Sequence, residues 1–257
     1  MGVLSNKIER KELIPGDHIY TWRSAYLYSH HGIFAGDDMV IHFTRAAGQE
    51  TGTGTFLDRI MFSSSPSPTG RNLCERCGDQ SRLHGVIMSC LDCFLSGGNL
   101  YLFCYAVTPV FFFTKARGGT CTLAHSDSPD AVLYRARFLH DNNGFGMYNI
   151  FKNNCEDFAI YCKTGLLVET TFSVGRSGQI SSLTAALSAI ASSPLRFLTT
   201  TPVGLVAVSG TMYCVGRYVS DIGIRRDAKE INVETLVAQM HTGEVPETTG
   251  AAGVNPN

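Results

Sequence analysis

Residues 16–43 read GDHIYTWRSAYLYSHHGIFAGDDMVIHF, and this stretch decides the fold. HIYTW (18–22), HHGIF (30–34) and MVIHF (39–43) are short aromatic and β-branched runs divided by turn residues, the pattern of consecutive strands. GDD at 36–38 joins the last two as a hairpin turn. A hairpin centred near Gly36 makes His30 and His42, six residues to either side, cross-strand neighbours on one face with Cβ atoms about 5 Å apart. One imidazole can then hold the other and fix its tautomer, as a general base requires. His31 points to the opposite face, to pack or to meet solvent. Because the register is open by one residue, His31 stands as the alternative to His30.

Downstream, NNCEDFAIYCKTG (153–165) reads as a helix with both ends marked. Asn154 is the N-cap, Glu156 and Asp157 are first-turn acids, Lys163 lies in the last turn and Gly165 fits the C′ position. Cys155 therefore takes the first helical position, where exposed N–H groups stabilise a thiolate and can hold an oxyanion. The two acids oppose that effect, so a nearby imidazolium is also needed. Cys162, two turns on, reads as packing. PDAVLYRARFLHDN (129–142) has helical spacing and is stopped by Asn143-Gly144. NLYLFCYAV (99–107) reads as a strand.

Between the two halves, Cys74-x-x-Cys77 and Cys90-x-x-Cys93 are paired knuckles twelve residues apart. Two thiolates three positions apart can converge on one tetrahedral ion, so structural zinc is the expectation. Free or redox-active thiols and disulfides are the alternatives, and His84 is a possible substitute ligand.

The chain has 257 residues, with 21 basic against 22 acidic side chains and a net charge of -1. That balance excludes a general nucleic-acid binder, which carries a basic stripe or tail. Charged residues make up 17%, below the ~25% of an average domain, and the deficit is concentrated in residues 177–216. FLTTTPVGLVAVSGTMYCVG (197–216) is long enough to cross a bilayer but only moderately apolar. It suits a buried or membrane-surface hairpin, with an inserted segment as the alternative. Residues 1–6, MGVLSN, partly fit a myristoylation signal, and Lys7, Arg10 and Lys11 can add a basic second signal. The first fifteen residues hold no apolar leader run. The nine cysteines are thus expected in an intracellular, reducing setting, in the cytoplasm or on the cytoplasmic face of a membrane.

Gly16-Asp17, His30, Gly36-Asp37, His42 and Asn154-Cys155-Glu156 follow one another in the order found in the lecithin:retinol acyltransferase-like family. The chain resembles that family over residues 15–170, above all its plant-type branch of NC-domain proteins, and its motifs are similar to those of the small phospholipase/acyltransferases. The resemblance implies an α+β, circularly permuted papain-like domain, in which an antiparallel sheet carries the histidines and a packed helix carries Cys155. The four cysteines then lie in a zinc-knuckle insertion at 44–98. It also implies covalent catalysis without a cofactor. His30 takes the proton of Cys155, His42 orients His30, and the thiolate attacks a phospholipid-like ester to give an acyl-thioester. Tyr28 matches a family tyrosine that contacts the oxyanion. His31 and Asp157 depart from the family pattern, which often has a bulky residue and a histidine at those places. Two other functions fit the same residues: a non-catalytic, zinc-stapled interaction protein on a membrane, and a cysteine peptidase or amidase. An arm at 1–14, an apolar helical region at 171–219 and a polar tail at 220–257 with a disordered end complete the expected organisation.

Overall fold

The computed structural model describes residues 6–23, 28–44, 74–80, 83–115, 117–146, 153–168 and 202–242. Five strands form one antiparallel sheet: β1 (His18–Arg23), β2 (Tyr28–Gly36), β3 (Met39–Thr44), β4 (Gly85–Cys90) and β5 (Tyr101–Leu102), in the order β4-β3-β2-β1-β5. Helices α1 (Leu91–Leu95), α2 (Pro109–Thr114), α3 (Pro129–Asp141) and α4 (Cys155–Thr164) follow. Then come α5 (Pro202–Ser220), α6 (Val233–Thr242) and a small ladder of β6 (Leu166–Val168) with β7 (Ala228–Glu230). The chain is a mixed α+β protein, with the antiparallel sheet and the packed helix expected from the sequence.

The turn after β2 is tighter than a hairpin centred on Gly36. Gly36 pairs with Met39, so Asp37 and Asp38 alone form the loop, at φ +50° and +56°. Both central residues of such a two-residue turn need positive φ, which aspartate tolerates better than most side chains. A register shift between Phe34 and Gly36 then sets Ile33 opposite Ile41. His42 consequently faces Gly32 rather than His30, and the two histidines are diagonal neighbours. They still share a face, because each lies an odd number of residues from that pair.

Strand alternation divides the core in two. Ile33, Ile41, Phe43 and Val86 pack under α3, α4 and α6, against Val132, Leu139, Phe158 and Val237. On the opposite face Ile19, Phe34 and Val40 pack with Leu91, Phe94 and Leu95 of α1. Each fully buried aliphatic or phenyl side chain contributes about 1.5–3 kcal/mol, which is what holds two short layers on one small sheet. Helix α3 has the expected limits: Ser128 caps it, and Val132, Ala136 and Leu139 are its buried stripe.

One expectation needs correction. The strand expected at 99–107 shrinks to Tyr101–Leu102, because the chain leaves the edge of β1 and pairs with residues 120–124 instead. Of the apolar run at 197–216, residues 202–216 lie in α5 and 197–201 lie outside the described residues, among which no helix is long and apolar enough to cross a membrane. The C-terminal half of α5 is bound to the protein by polar contacts. Arg217, 4% exposed, donates to the carbonyls of Lys115 and Phe112, and Tyr213 accepts from Gly118. Residues 1–5, 24–27, 45–73, 81–82, 116, 147–152, 169–201 and 243–257 lie outside the described set, and with them most of the insertion, most of the myristoylation signal, the first part of the apolar region and the end of the tail.

Candidate active site

Helix α4 is assembled as its sequence dictates. Asn154 accepts from the amides of Glu156 (2.9 Å) and Asp157 (3.2 Å), and Asp157 accepts in return from the Asn154 amide at 3.1 Å. Gly165 closes the helix at φ +67°. Cys155 is therefore the first helical residue, 1% exposed, with Sγ directed at the carbonyl oxygen of Ser29 at 3.9 Å. The cap has a cost for chemistry. Two of the first-turn amides that the sequence offered to an oxyanion are already engaged by Asn154.

His30 and His42 come together, Nε2 to Nδ1 at 3.0 Å, with rings edge-to-face. Two residues that sequence reading missed complete the pair: Ser89 on β4, whose hydroxyl is 2.9 Å from His42 Nε2, and Phe94 on α1, whose ring centroid is 5.2 Å from His30 and 5.4 Å from His42. Gly32 makes room for them. A Cβ there would sit 2.7 Å from Val40 Cγ1 and 2.9 Å from the Phe94 ring. Burial pushes both imidazoles down, His30 well below its ordinary value and His42 to about 3, with the neighbouring charges of the pair and Arg23 adding to the effect. Both are neutral at pH 7. Among the described residues, His30 Nδ1 has no hydrogen-bond partner.

This pair lies on the α1 face of the sheet, whereas Cys155 belongs to the helix packed on the other. The histidine that β2 turns toward α4 is His31. Rather than meeting solvent it is fully buried, with Nε2 2.8 Å from the Ser29 hydroxyl and Nδ1 2.8 Å from His18 Nε2. His18 Nδ1 continues to the Tyr105 hydroxyl at 2.7 Å. Burial lowers His31 to about 3 and holds His18 well below its ordinary value. His18 and Tyr105 also line an open cleft of about 500 Å³, with Asp17, Phe111 and Lys163 around it. Ser29 is thus the point where the thiol and a histidine chain meet: its carbonyl faces Cys155 and its hydroxyl faces His31. The sequence signal for this second chain was the His-His tandem itself, together with His18 two positions after Gly16. Tyr28 begins β2 opposite Arg23. Its backbone alone is described.

The four knuckle cysteines converge. Cys74, Cys77, Cys90 and Cys93 place all four Sγ atoms within 4.8 Å of one another. The 74–78 loop closes through Gly78 N to Cys74 O at 2.8 Å, with Gly78 at φ +64°, and Cys77 Sγ accepts from the Cys90 amide at 2.9 Å. Backbone donors from Cys77 and Arg76 lower the Cys74 thiol to about 7, while burial raises Cys93. Tetrahedral zinc with Zn–S bonds of ~2.3 Å separates its sulfurs by about 3.8 Å, and Cys74 and Cys90 are 3.6 Å apart. The donor set and spacing fit a soft, four-coordinate cation. Among the described residues, which include all nine cysteines, there is no disulfide.

Against known proteins, a family model described as lecithin retinol acyltransferase matches residues 11–168. Protein LEAD-SENSITIVE 1 of Arabidopsis thaliana is 52% identical over 244 residues, covering 95% of this chain and 93% of that protein. No solved structure matches.

Proposed function

The chain belongs to the lecithin retinol acyltransferase family, and on that premise we propose that it is a thiol-dependent acyltransferase or phospholipase A-type hydrolase of lipid esters. The observation that carries the reading is Cys155: a capped, first-position helix cysteine whose sulfur lies over the strand that bears the paired histidines. In this reading the thiol proton passes to an imidazole and the thiolate adds to the ester carbonyl. The alkoxide of the lipid leaves with that proton, and an acyl-thioester remains on Cys155. Water or a second alcohol or amine then attacks the thioester, releasing the thiol. The order of elements, histidine strands before the cysteine helix, supports reading the domain as circularly permuted and papain-like. The motif names His30 as base and His42 as its orienting partner, with Tyr28 near the oxyanion.

A second assignment within the same function is favoured by the sheet itself. His31, not His30, is on the face that α4 covers, and it reaches Ser29 directly. In that assignment His31 serves the thiol, and His18 and Tyr105 orient it.

We also propose structural zinc at Cys74, Cys77, Cys90 and Cys93. Four thiolates leave no open coordination position, so the ion would staple the insertion rather than react. The thiols must stay reduced to bind it, which suits an intracellular setting, and a lipid ester substrate suits work at a membrane surface. The test is incubation with phospholipid vesicles followed by mass spectrometry. A hydroxylamine-sensitive acyl adduct on Cys155 is expected, and its absence across several lipid classes would favour a non-catalytic, zinc-stapled binding protein.

A further inference from the structure

We infer that the metal site of the four cysteines is the support that positions the His30–His42 pair; the inference rests on the zinc reading above. The two C-terminal ligands are neighbours in sequence of the two residues that hold the pair. Ser89, bonded to His42 Nε2 at 2.9 Å, immediately precedes Cys90. Phe94, against both imidazole rings, immediately follows Cys93. A displacement of β4's last residue or of α1 therefore moves the hydroxyl and the phenyl ring together.

Helix α1 cannot hold that position alone. It has five residues, and its N-cap is Cys90, whose side chain caps nothing. A helix so far below the ~12–15 residues needed for independent stability takes its place from outside contacts. Those contacts gather around the thiols. Leu91 N donates to Asp38 O at 2.7 Å, Arg76 of the first knuckle donates to Asp37 O at 2.9 Å, and Asp92 pairs with Arg10. The first knuckle is tied to β4 through Cys77 Sγ and the Cys90 amide, and through Gln80 to the carbonyl of Met88 at 3.0 Å. Four thiols brought together without a cation gain nothing from ionisation. With one, they become four bonds between two segments joined by a single thread of chain. On the other face of β2, the Ser29–His31–His18 chain is anchored at Tyr105, away from the cysteine knuckles in sequence, so the matched comparison is between the two histidine pairs.

Coupling between two sites is reciprocal. Whatever metal binding does for the pair, the pair does for the metal. The experiment measures zinc content by elemental mass spectrometry on the full-length chain purified under reducing conditions. It then measures zinc affinity at equilibrium by competition with the chromogenic chelator 4-(2-pyridylazo)resorcinol. One zinc per chain is expected in the wild type. Ser89→Ala deletes one hydroxyl and is expected to weaken zinc affinity about fivefold or more, the low end of typical couplings. His42→Gln, a second lesion of the same contact, is expected to do likewise. Ser29→Ala, the matched deletion on the opposite face, is expected to keep the wild-type affinity. Stoichiometric zinc with unchanged affinity in both Ser89→Ala and His42→Gln overturns the coupling, as does equal weakening in Ser29→Ala. Absence of bound zinc with all four thiols titratable overturns the metal reading beneath it.

Discussion

The two faces of the sheet carry the same motif with different surroundings. On one, Ser89 holds His42, which holds His30; on the other, Ser29 holds His31, which holds His18. The first chain ends on a buried nitrogen that has no partner among the described residues and is flanked by Phe94 and the cysteine knuckles. The second ends on Tyr105 at the edge of a cleft and is flanked by Cys155. Adjacent residues His30 and His31 belong to different chains because side chains alternate along a strand. A tandem that looks redundant in sequence is two separate devices in space.

The widest separation between the faces is expected in acyl transfer. Cys155→Ala should abolish the hydroxylamine-sensitive adduct altogether; an adduct that survives, on any other residue, would remove Cys155 from the chemistry. Next comes the choice of base. Loss of a general base costs about 10²–10⁴ in rate, and His31→Gln is expected to slow adduct formation by that much, His30→Gln by far less. The opposite ranking, read from single-turnover rates, would return the base to the motif position.

Acid should break the comparison more evenly. His31 and His42, one on each face, are both held at about 3 against an ordinary value of 6.5. Above pH 6.5 neither the folded nor the unfolded chain is protonated at these rings. Between 6.5 and 3 the unfolded chain binds protons that the folded form refuses. Stability therefore falls as the pH drops, by up to about 1.4 kcal/mol per pH unit for each ring. Urea midpoints between pH 7 and 4 should fall less steeply in His31→Gln and in His42→Gln than in the wild type. Parallel curves would show that these rings titrate alike in both states.

Smaller effects are local to one face. Gly32→Ala drives a methyl against Val40 and Phe94 and should cost about 1–3 kcal/mol by overpacking, with loss of the His30–His42 contact but not of His31–His18. Asn154→Ala removes the cap of α4 and should cost about 1 kcal/mol, seen as a lower melting temperature. A substitution at either place that leaves stability unchanged would mean that the neighbouring backbone adjusts freely.

Much of this was legible from sequence where the signal was local. The limits of α4, its cap and the position of Cys155 follow from Asn154, Glu156, Asp157, Lys163 and Gly165. The convergence of the four cysteines follows from their spacing. What stayed hidden depended on which strands are neighbours. GVIMSC is a strand buried at five of its six positions, but it lies inside the cysteine-rich insertion, so Ser89 was invisible as a partner of His42. Phe94 was hidden in the same way, and the pairing of Ser29, His18 and Tyr105 draws on three separate segments. One detail, the shift between Phe34 and Gly36, decided which residues lie directly opposite, setting Gly32 rather than His30 across from His42 while leaving the faces unchanged.

The adjacency of His30 and His31 also makes the tandem tolerant of error in an unequal way. If one residue were inserted into or deleted from β2, every side chain after the lesion would exchange faces. A single histidine at this point would then vanish from its site. With two in a row, the slip delivers one ring to its neighbour's socket while Ser29 or Gly32 fills the other, so one device stays furnished and its twin is emptied. Parity, rather than the identity of either histidine, is what separates a whole site from half of one.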